Sequence, residues 1–268
     1  MSRDLQGKRA LVTGSSSGIG EAIALRLASE GADIAVHGRN RERAEAVAGA
    51  VRALGVEAIV VIGDLARDDT AAAVADAVEA AWGGVDILVN NAGGESAGTG
   101  TAPWLEATPA EWVSTYQANV LSAVRMVQRL APSMSQRGWG RLIQVSSVVG
   151  HEPLTVIPDY GAAKAAMINM SKGLAKTFSK SGVTANSISP GLVRTPSVEA
   201  WLRGIAAASG WGDDWDAIEK QVVAQFVPNH VGRIGRPEDV AHAAAYLASP
   251  RAGFVTGTDM LVSGWQLG

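Results

Sequence analysis

Short runs rich in β-branched residues alternate with longer alanine-rich segments along the whole chain, and this alternation restricts the fold more than any single motif does. The runs are RALVT (9–13), DIAVH (33–37), EAIVVIG (57–63), DILVNN (86–91), RLIQVS (141–146), VTANSIS (183–189) and DMLVS (259–263). Between them lie segments with helical apolar spacing near 18–30, 41–54, 68–82, 109–136, 160–181 and 237–248. Strand, helix and strand repeated in this way call for parallel strands covered by helices on both faces. The pattern therefore predicts a doubly wound α/β fold: a three-layer α/β/α sandwich around a sheet of roughly seven parallel strands.

Local punctuation agrees with these boundaries. Thr108-Pro109 with Glu111 marks one helix start, and Arg236-Pro237-Glu238-Asp239 marks another with acids in its first turn. Gly31, Gly55 and Gly182 sit where helices should stop. No linker, low-complexity run or solenoid period divides the chain, so residues 1–268 are expected to form one domain. The irregular stretch 194–232, with Trp201, Trp211 and Trp215 among glycines and acids, reads as an inserted cap.

Composition narrows the function classes. With 47% hydrophobic and 18% charged residues the chain suits a compact core, and a net charge of -3 provides no broad basic surface for a phosphate backbone. The absence of cysteine excludes disulfides, thiolate metal sites and cysteine nucleophiles. His37, His151, His230 and His242 lack metal-ligand spacing, and no metal is expected. The opening MSRDLQGKRALVTG lacks the apolar core of a secretory signal, and no uninterrupted apolar stretch is long enough to span a bilayer. The expectation is a cytoplasmic protein without nucleic-acid or membrane partners.

After the first strand comes TGSSSGIG (13–20), a T-G-x-x-x-G-x-G spacing looser than G-x-G-x-x-G. The physical need is similar: a tight turn, backbone amides brought close to a pyrophosphate, and a helix N-terminus aimed at its charge. Gly14, Ser16, Ser17, Gly18, Ile19 and Gly20 are the candidate cofactor contacts there, and Ser15 adds a third hydroxyl. At the end of the second strand, where an acid would bind a ribose diol, the chain reads His37-Gly38-Arg39-Asn40. Gly38 offers no carboxylate to repel a 2′-phosphate, and Arg39 can grip one. NADP(H) is favoured over NAD(H), with NAD(H) as the alternative.

YGAAK (160–164) places a phenol and an ammonium one helical turn apart on one face. A phenol near pKa 10 is a poor base at neutral pH unless a neighbouring positive charge favours its anion. Tyr160 can then act as general acid for reducing a carbonyl and general base for oxidising an alcohol, with Lys164 as its electrostatic partner. Alone, the pentapeptide reads more readily as an amphipathic helix that packs its tyrosine and solvates its lysine.

Taken together, TGSSSGIG, GDL (63–65), NNAG (90–93), Asn119, SSVVG (146–150), YGAAK and NSISPGLVRT (186–195) resemble the short-chain dehydrogenase/reductase family through almost the whole chain and in the family's order. The likeness is greatest to its 3-oxoacyl-thioester reductase-like members. It implies a Rossmann-type fold and an NADP(H)-linked carbonyl/secondary-alcohol oxidoreductase. By the same resemblance, Asp64 with Leu65 contacts adenine, and Asn91, Ala92 and Gly93 form the nicotinamide-side loop. Pro190, Gly191, Val193 and Thr195 receive the carboxamide and phosphates, and Tyr160 and Lys164 also touch the cofactor. The family's spacing selects Ser147, thirteen residues before Tyr160, over its neighbour Ser146, since adjacent strand residues point to opposite faces. Ser147 would donate to the substrate oxygen, and Asn119 would hold a water linking Lys164 to solvent.

Several features stay open at this level. His151 and Glu152 follow the catalytic strand and either contact substrate or face solvent. The cap tryptophans either line a cleft for a bulky, partly apolar small molecule or pack on a neighbouring subunit or the cap's own helix. Glu199, Asp213, Asp214 and Glu219 disfavour a strongly anionic group nearby. The family's habit and the apolar run DMLVSGWQLG suggest a homotetramer or homodimer, though SGW replaces the aspartate and glycines of many relatives. The alternatives are an NAD-dependent alcohol dehydrogenase and a nucleotide-sensing protein without turnover.

Overall fold

A computed structural model of the chain describes residues 3–94 and 103–265. The seven parallel strands are β1 (Arg9–Val12), β2 (Asp33–Gly38), β3 (Ala58–Ile62), β4 (Ile87–Asn90), β5 (Gly140–Val145), β6 (Val183–Pro190) and β7 (Asp259–Val262). Their order across the sheet is β3-β2-β1-β4-β5-β6-β7. The order reverses between β1 and β4, which are paired in register from Ala10↔Ile87 to Val12↔Val89. A doubly wound sheet opens a crevice at such a reversal, beyond the carboxyl ends of its strands.

Helices α1 (Gly18–Ser29), α2 (Arg41–Arg52) and α3 (Asp68–Trp82) follow the first three strands. One face of the sheet packs Ile34, Val36, Ile143 and Ile188 against α1, α2 and α9 (Pro237–Ala248). The other packs Leu11, Leu88 and Leu142 against α3 and α5 (Ser122–Gln136). Strands buried on both faces have no polar side to alternate with, which is why β1 to β4 read as largely apolar runs, while buried β6 keeps Thr184, Asn186, Ser187 and Ser189.

The segment 109–136, expected as one helix, is three pieces: α4 (Pro109–Tyr116), a π-helical turn (Gln117–Leu121) and α5. Thr108 and Glu111 do form a reciprocal capping box at its start. Helix α6 (Pro158–Thr177) begins two residues earlier than expected, because Pro158 occupies its first turn with a backbone angle already suited to a helix. It stops before Lys180, whose φ is +60°.

The segment 194–232, expected as a cap, carries α7 (Pro196–Ser209) and α8 (Trp215–Gln225). Its own apolar cluster of Leu202, Ala206, Ile218, Val222 and Ile234 is separate from the two sheet cores. Two tryptophans serve this packing: Trp211 meets Phe226 with centroids 5.9 Å apart, and Trp215 lies under the Arg194 guanidinium at 3.9 Å. Only Trp201 of the three has its ring largely exposed. Glu199 accepts hydrogen bonds from Arg194 and Arg203, so its charge is balanced within the cap. Among the described residues, no helix is long and apolar enough to cross a membrane. Of the C-terminal run, Gln266, Leu267 and Gly268 lie outside the described residues.

Candidate active site

The crevice between β1 and β4 is bordered by the glycine turn, and hydrogen bonds tie that turn to the loop after β4. Thr13 Oγ1 accepts from the Asn91 and Ala92 amides at 2.9 Å each, and Asn91 Nδ2 donates to the Thr13 carbonyl at 2.9 Å. The Asn91 side chain is therefore occupied in building the loop, and what it presents to a ligand is backbone. Thr13 matters as much to this arrangement, and its place before the first glycine was its only signal in the sequence.

Within the turn the three serines divide their work. Ser15 is buried, and its hydroxyl accepts from the His37 amide at 3.0 Å, so it is not available to a phosphate. Ser16 is half-buried, and Ser17 is exposed at the N-cap of α1 with no capping bond from its side chain. Gly18, Ile19 and Gly20 open α1, and their amides have no intrahelical partner. A Cβ built on Gly38 would lie 2.6 Å from Ser16 Oγ, so the missing side chain lets Ser16 lean onto the end of β2. Arg39 follows, exposed and without an ion pair among the described residues.

Asp64 and Leu65 lie just beyond β3. Asp64 Oδ1 accepts from the Ala66 amide at 3.0 Å, whereas the Leu65 side chain is buried in the core, leaving only its backbone to face a ligand. On the far side, Gly191 donates to the Val262 carbonyl at 3.1 Å, and Val193 is bridged to Gly235. Thr195 caps α7 through its hydroxyl, and its Cγ2 is 3.2 Å from a Cβ built on Gly18. The segment from Pro190 to Thr195 thus closes back onto the glycine turn.

Lys164 is only 3% exposed, and its ammonium donates to the Val145 carbonyl at 3.0 Å. That nitrogen lies 5.3 Å from the centroid of the half-buried Tyr160 ring, so the two are neighbours on the same face of α6. Burial lowers the Lys164 pKa to about 8, still above neutral, so the ammonium remains charged at pH 7 despite the penalty. The adjacent serines separate as strand geometry requires. Ser146 is buried, and its hydroxyl donates to the Lys164 carbonyl at 2.8 Å. Ser147 is half-buried and caps the Val148–Gly150 turn by accepting weakly from the Val149 amide at 3.4 Å, which leaves its proton free to be donated.

Asn119 sits inside the π-helical turn and is fully buried. Its Nδ2 donates to the Gly94 and Thr115 carbonyls at 2.8 and 2.9 Å, and its Oδ1 accepts from the Gly94 amide at 3.1 Å. Every polar atom of the side chain is engaged, so any water it holds falls to its main chain. Gly93 has a φ of +151°, and a Cβ there would come within 2.4 Å of Asn119 Oδ1. Thr115 also donates to the buried Asp159 carboxylate beside Tyr160. This Asp159–Thr115–Asn119 chain left no recognisable spacing in the sequence. His151 is held at the start of β7: it meets the Asp259 carboxylate at 2.7 Å, and Ser189 donates to the same carboxylate at 3.0 Å.

A cavity of about 350 Å³ lined by Val227, Ile234, Met260, Leu261 and Trp265 lies against β7. It shares no lining residue with Ser147, Tyr160 or Lys164.

Comparison with known proteins agrees with this geometry. Residues 8–205 match the family described as short chain dehydrogenase. Nodulation protein G of Azospirillum brasilense is 36% identical over 96% of this chain and 97% of its own length. The 3-oxoacyl-acyl-carrier-protein reductase of Haemophilus influenzae is 34% identical over 97% and 98%. The L-sorbose reductase of Gluconobacter frateurii, solved with NADPH and L-sorbose, superposes with a TM-score of 0.90 at 35% identity, covering 100% of this chain and 99% of that one. Likeness of this extent, in sequence and backbone alike, means that the chain belongs to the short-chain dehydrogenase/reductase family, on its 3-oxoacyl reductase-like branch, and is an oxidoreductase working between carbonyl and alcohol groups.

Proposed function

We propose that the chain interconverts a small-molecule carbonyl and its secondary alcohol using NADP(H), with Tyr160 as the general acid for reduction and the general base for oxidation. The observation that carries this reading is the buried ammonium of Lys164 beside the half-buried ring of Tyr160, at the end of the crevice that the glycine turn begins. The donor set there fits a dinucleotide: free amides at the start of α1, backbone at Asn91 and Leu65, and a β2 end without a Cβ. When bound, NADPH supplies the hydride that no side chain can provide.

Tyr160 then moves the proton between its phenol and the substrate oxygen. Lys164 favours the phenolate by charge, and Ser147 donates to the substrate oxygen to hold it in place. The main chain at Asn119 offers a water position from which Lys164 and Tyr160 are reprotonated. Exposed Arg39 together with Ser16 favours a 2′-phosphate. Two structural neighbours support that choice: the sorbose reductase solved with NADPH, and an Agrobacterium tumefaciens 3-oxoacyl reductase solved with NADP at a TM-score of 0.86 and 35% identity. The edge strand β7, with Leu261 and Trp265 exposed beside it, supports assembly into a homodimer or homotetramer.

A panel of ketones, sugars, steroids and 3-oxoacyl thioesters, followed by nicotinamide absorbance, tests the activity and identifies the substrate class. Tyr160→Phe should lower turnover by at least about a thousandfold while NADPH affinity stays within about threefold, as expected for a group acting in the chemical step. Retained turnover would assign the acid elsewhere. A lower Michaelis constant for NADH than for NADPH would overturn the cofactor choice.

A further inference from the structure

His37 is 3% exposed at the end of β2, and both of its ring nitrogens are engaged by backbone. The Gly14 amide donates to Nδ1 at 2.9 Å, and Nε2 lies 3.1 Å from the Gly63 carbonyl. An amide can only donate and a carbonyl can only accept, so these partners admit one form of the ring: neutral, with its proton on Nε2. The backbone of the same residue joins the turn again, because Ser15 N donates to the His37 carbonyl at 2.8 Å and His37 N donates to Ser15 Oγ at 3.0 Å.

These four bonds connect three loops that carry different parts of a nucleotide site. Gly14 and Ser15 begin the phosphate-binding turn, Gly38 and Arg39 follow His37 directly, and Gly63 precedes Asp64. They also take up the first two amides of the turn, which leaves the anion-binding work to the amides from Ser16 onward and at the start of α1. We propose that His37 is a positioning residue for the cofactor, a neutral imidazole clamp that holds the phosphate turn, the 2′-phosphate corner and the adenine-side loop in one arrangement. This rests on the nucleotide reading given above.

The burial that lowers the His37 pKa to about 4 keeps the ring in its clamping form throughout the neutral range. An imidazolium would turn a second proton toward the Gly14 amide and break that bond.

His37→Leu fills the space without either hydrogen bond, whereas His37→Gln keeps an acceptor and a donor at nearly the ring's spacing. NADPH titration by fluorescence should show the Leu variant binding at least about tenfold more weakly, the equivalent of one lost buried bond, with Gln restoring affinity to within about threefold of the wild type. A role in stability alone would lower the melting temperature of the Leu variant and leave NADPH affinity unchanged, and that result would overturn the proposal. Should the Leu variant not fold, a long-range ¹H–¹⁵N correlation spectrum of the labelled wild-type protein decides. The Nε2–H tautomer across pH 5–8 is expected, and an Nδ1–H tautomer or titration within that range would overturn the clamp. If the wild type binds neither NADPH nor NADH, the nucleotide reading itself fails, a result separable from a wild type that binds and a variant that binds equally well.

Discussion

Lys164 is charged at neutral pH in a place that penalises the charge, since burial lowers its pKa from 10.5 to about 8. An unfolded chain keeps that proton up to about pH 10.5, whereas the folded one releases it near 8, so between these values the unfolded state holds more protons and stability rises with pH. Below about pH 8 the full penalty is present. Lys164→Met should therefore abolish turnover while stabilising the cofactor-free protein at pH 7 by about 1–3 kcal/mol, an increment that shrinks as pH approaches 10.5. Urea midpoints at pH 7 and pH 10 check this, and a destabilised variant at pH 7 would show that the Val145 contact outweighs the cost of burial. Carbonyl reduction should also decline above about pH 8 as the supporting charge is lost. Arg39→Ala belongs to the same scale: losing a charge-assisted contact should weaken NADPH by about 10–100-fold and leave NADH unchanged. Lys164 and Arg39 could both be singled out as candidates from the sequence, because the roles proposed for them depend on charge and position. His37 was not, because a histidine's partners are set by loops that meet only in the folded chain.

At the scale of elements, the turn at Gln117–Leu121 interrupts what the apolar pattern presents as one helix from 109 to 136. The pattern could not show the interruption, since a π turn inserts one residue without changing which side chains are apolar. The side-chain bonds of Asn119 are made there, and they hold the loop through Gly94 with Gly93 pressed against the amide oxygen. Gly93→Ala should cost about 2–4 kcal/mol, from a φ of +151° that an L-residue resists and from the collision with Asn119. Asn119→Ala removes the collision along with three hydrogen bonds. The two substitutions should accordingly be less than additive, with a coupling of about 1–2 kcal/mol in a double-mutant cycle. Strict additivity would mean that the two residues do not press on each other. The starts of α4 and α9, in contrast, were readable, because Thr108 with Glu111 and Arg236 with Asp239 act through bonds local to the chain.

Across the whole molecule, the parallel sheet was legible and the packing inside the 194–232 segment was not, for one physical reason. Strands buried between two helical layers are largely apolar, so β1 to β5 leave a repeated mark on the sequence, whereas buried β6 carries Thr184, Asn186, Ser187 and Ser189 and the edge strand β7 is only partly buried. That segment has a small core of its own, and its tryptophans gave no sign of whether they faced substrate, a neighbouring subunit or the segment's own helices. The fold answers for Trp215, which the Arg194 and Arg203 guanidinium groups approach to 3.9 and 5.5 Å, while Glu199 bonds to both arginines. Arg194 belongs to the segment that runs from Pro190 to Thr195 along the crevice, so this cluster couples the cap to the site floor. Because the cap core is separate from the sheet cores, loosening it should open the cap locally and leave global unfolding nearly unchanged. Trp215→Ala should therefore accelerate amide exchange in α7 and α8 by at least about tenfold, with exchange in β1, β4 and β5 unaltered, as expected for a local opening. The Michaelis constant for the carbonyl substrate should rise while NADPH affinity stays within about threefold, since the α1 amides lie outside the cap. Loss of protection spread evenly through the sheet would instead show that the cap and the sheet unfold as one unit.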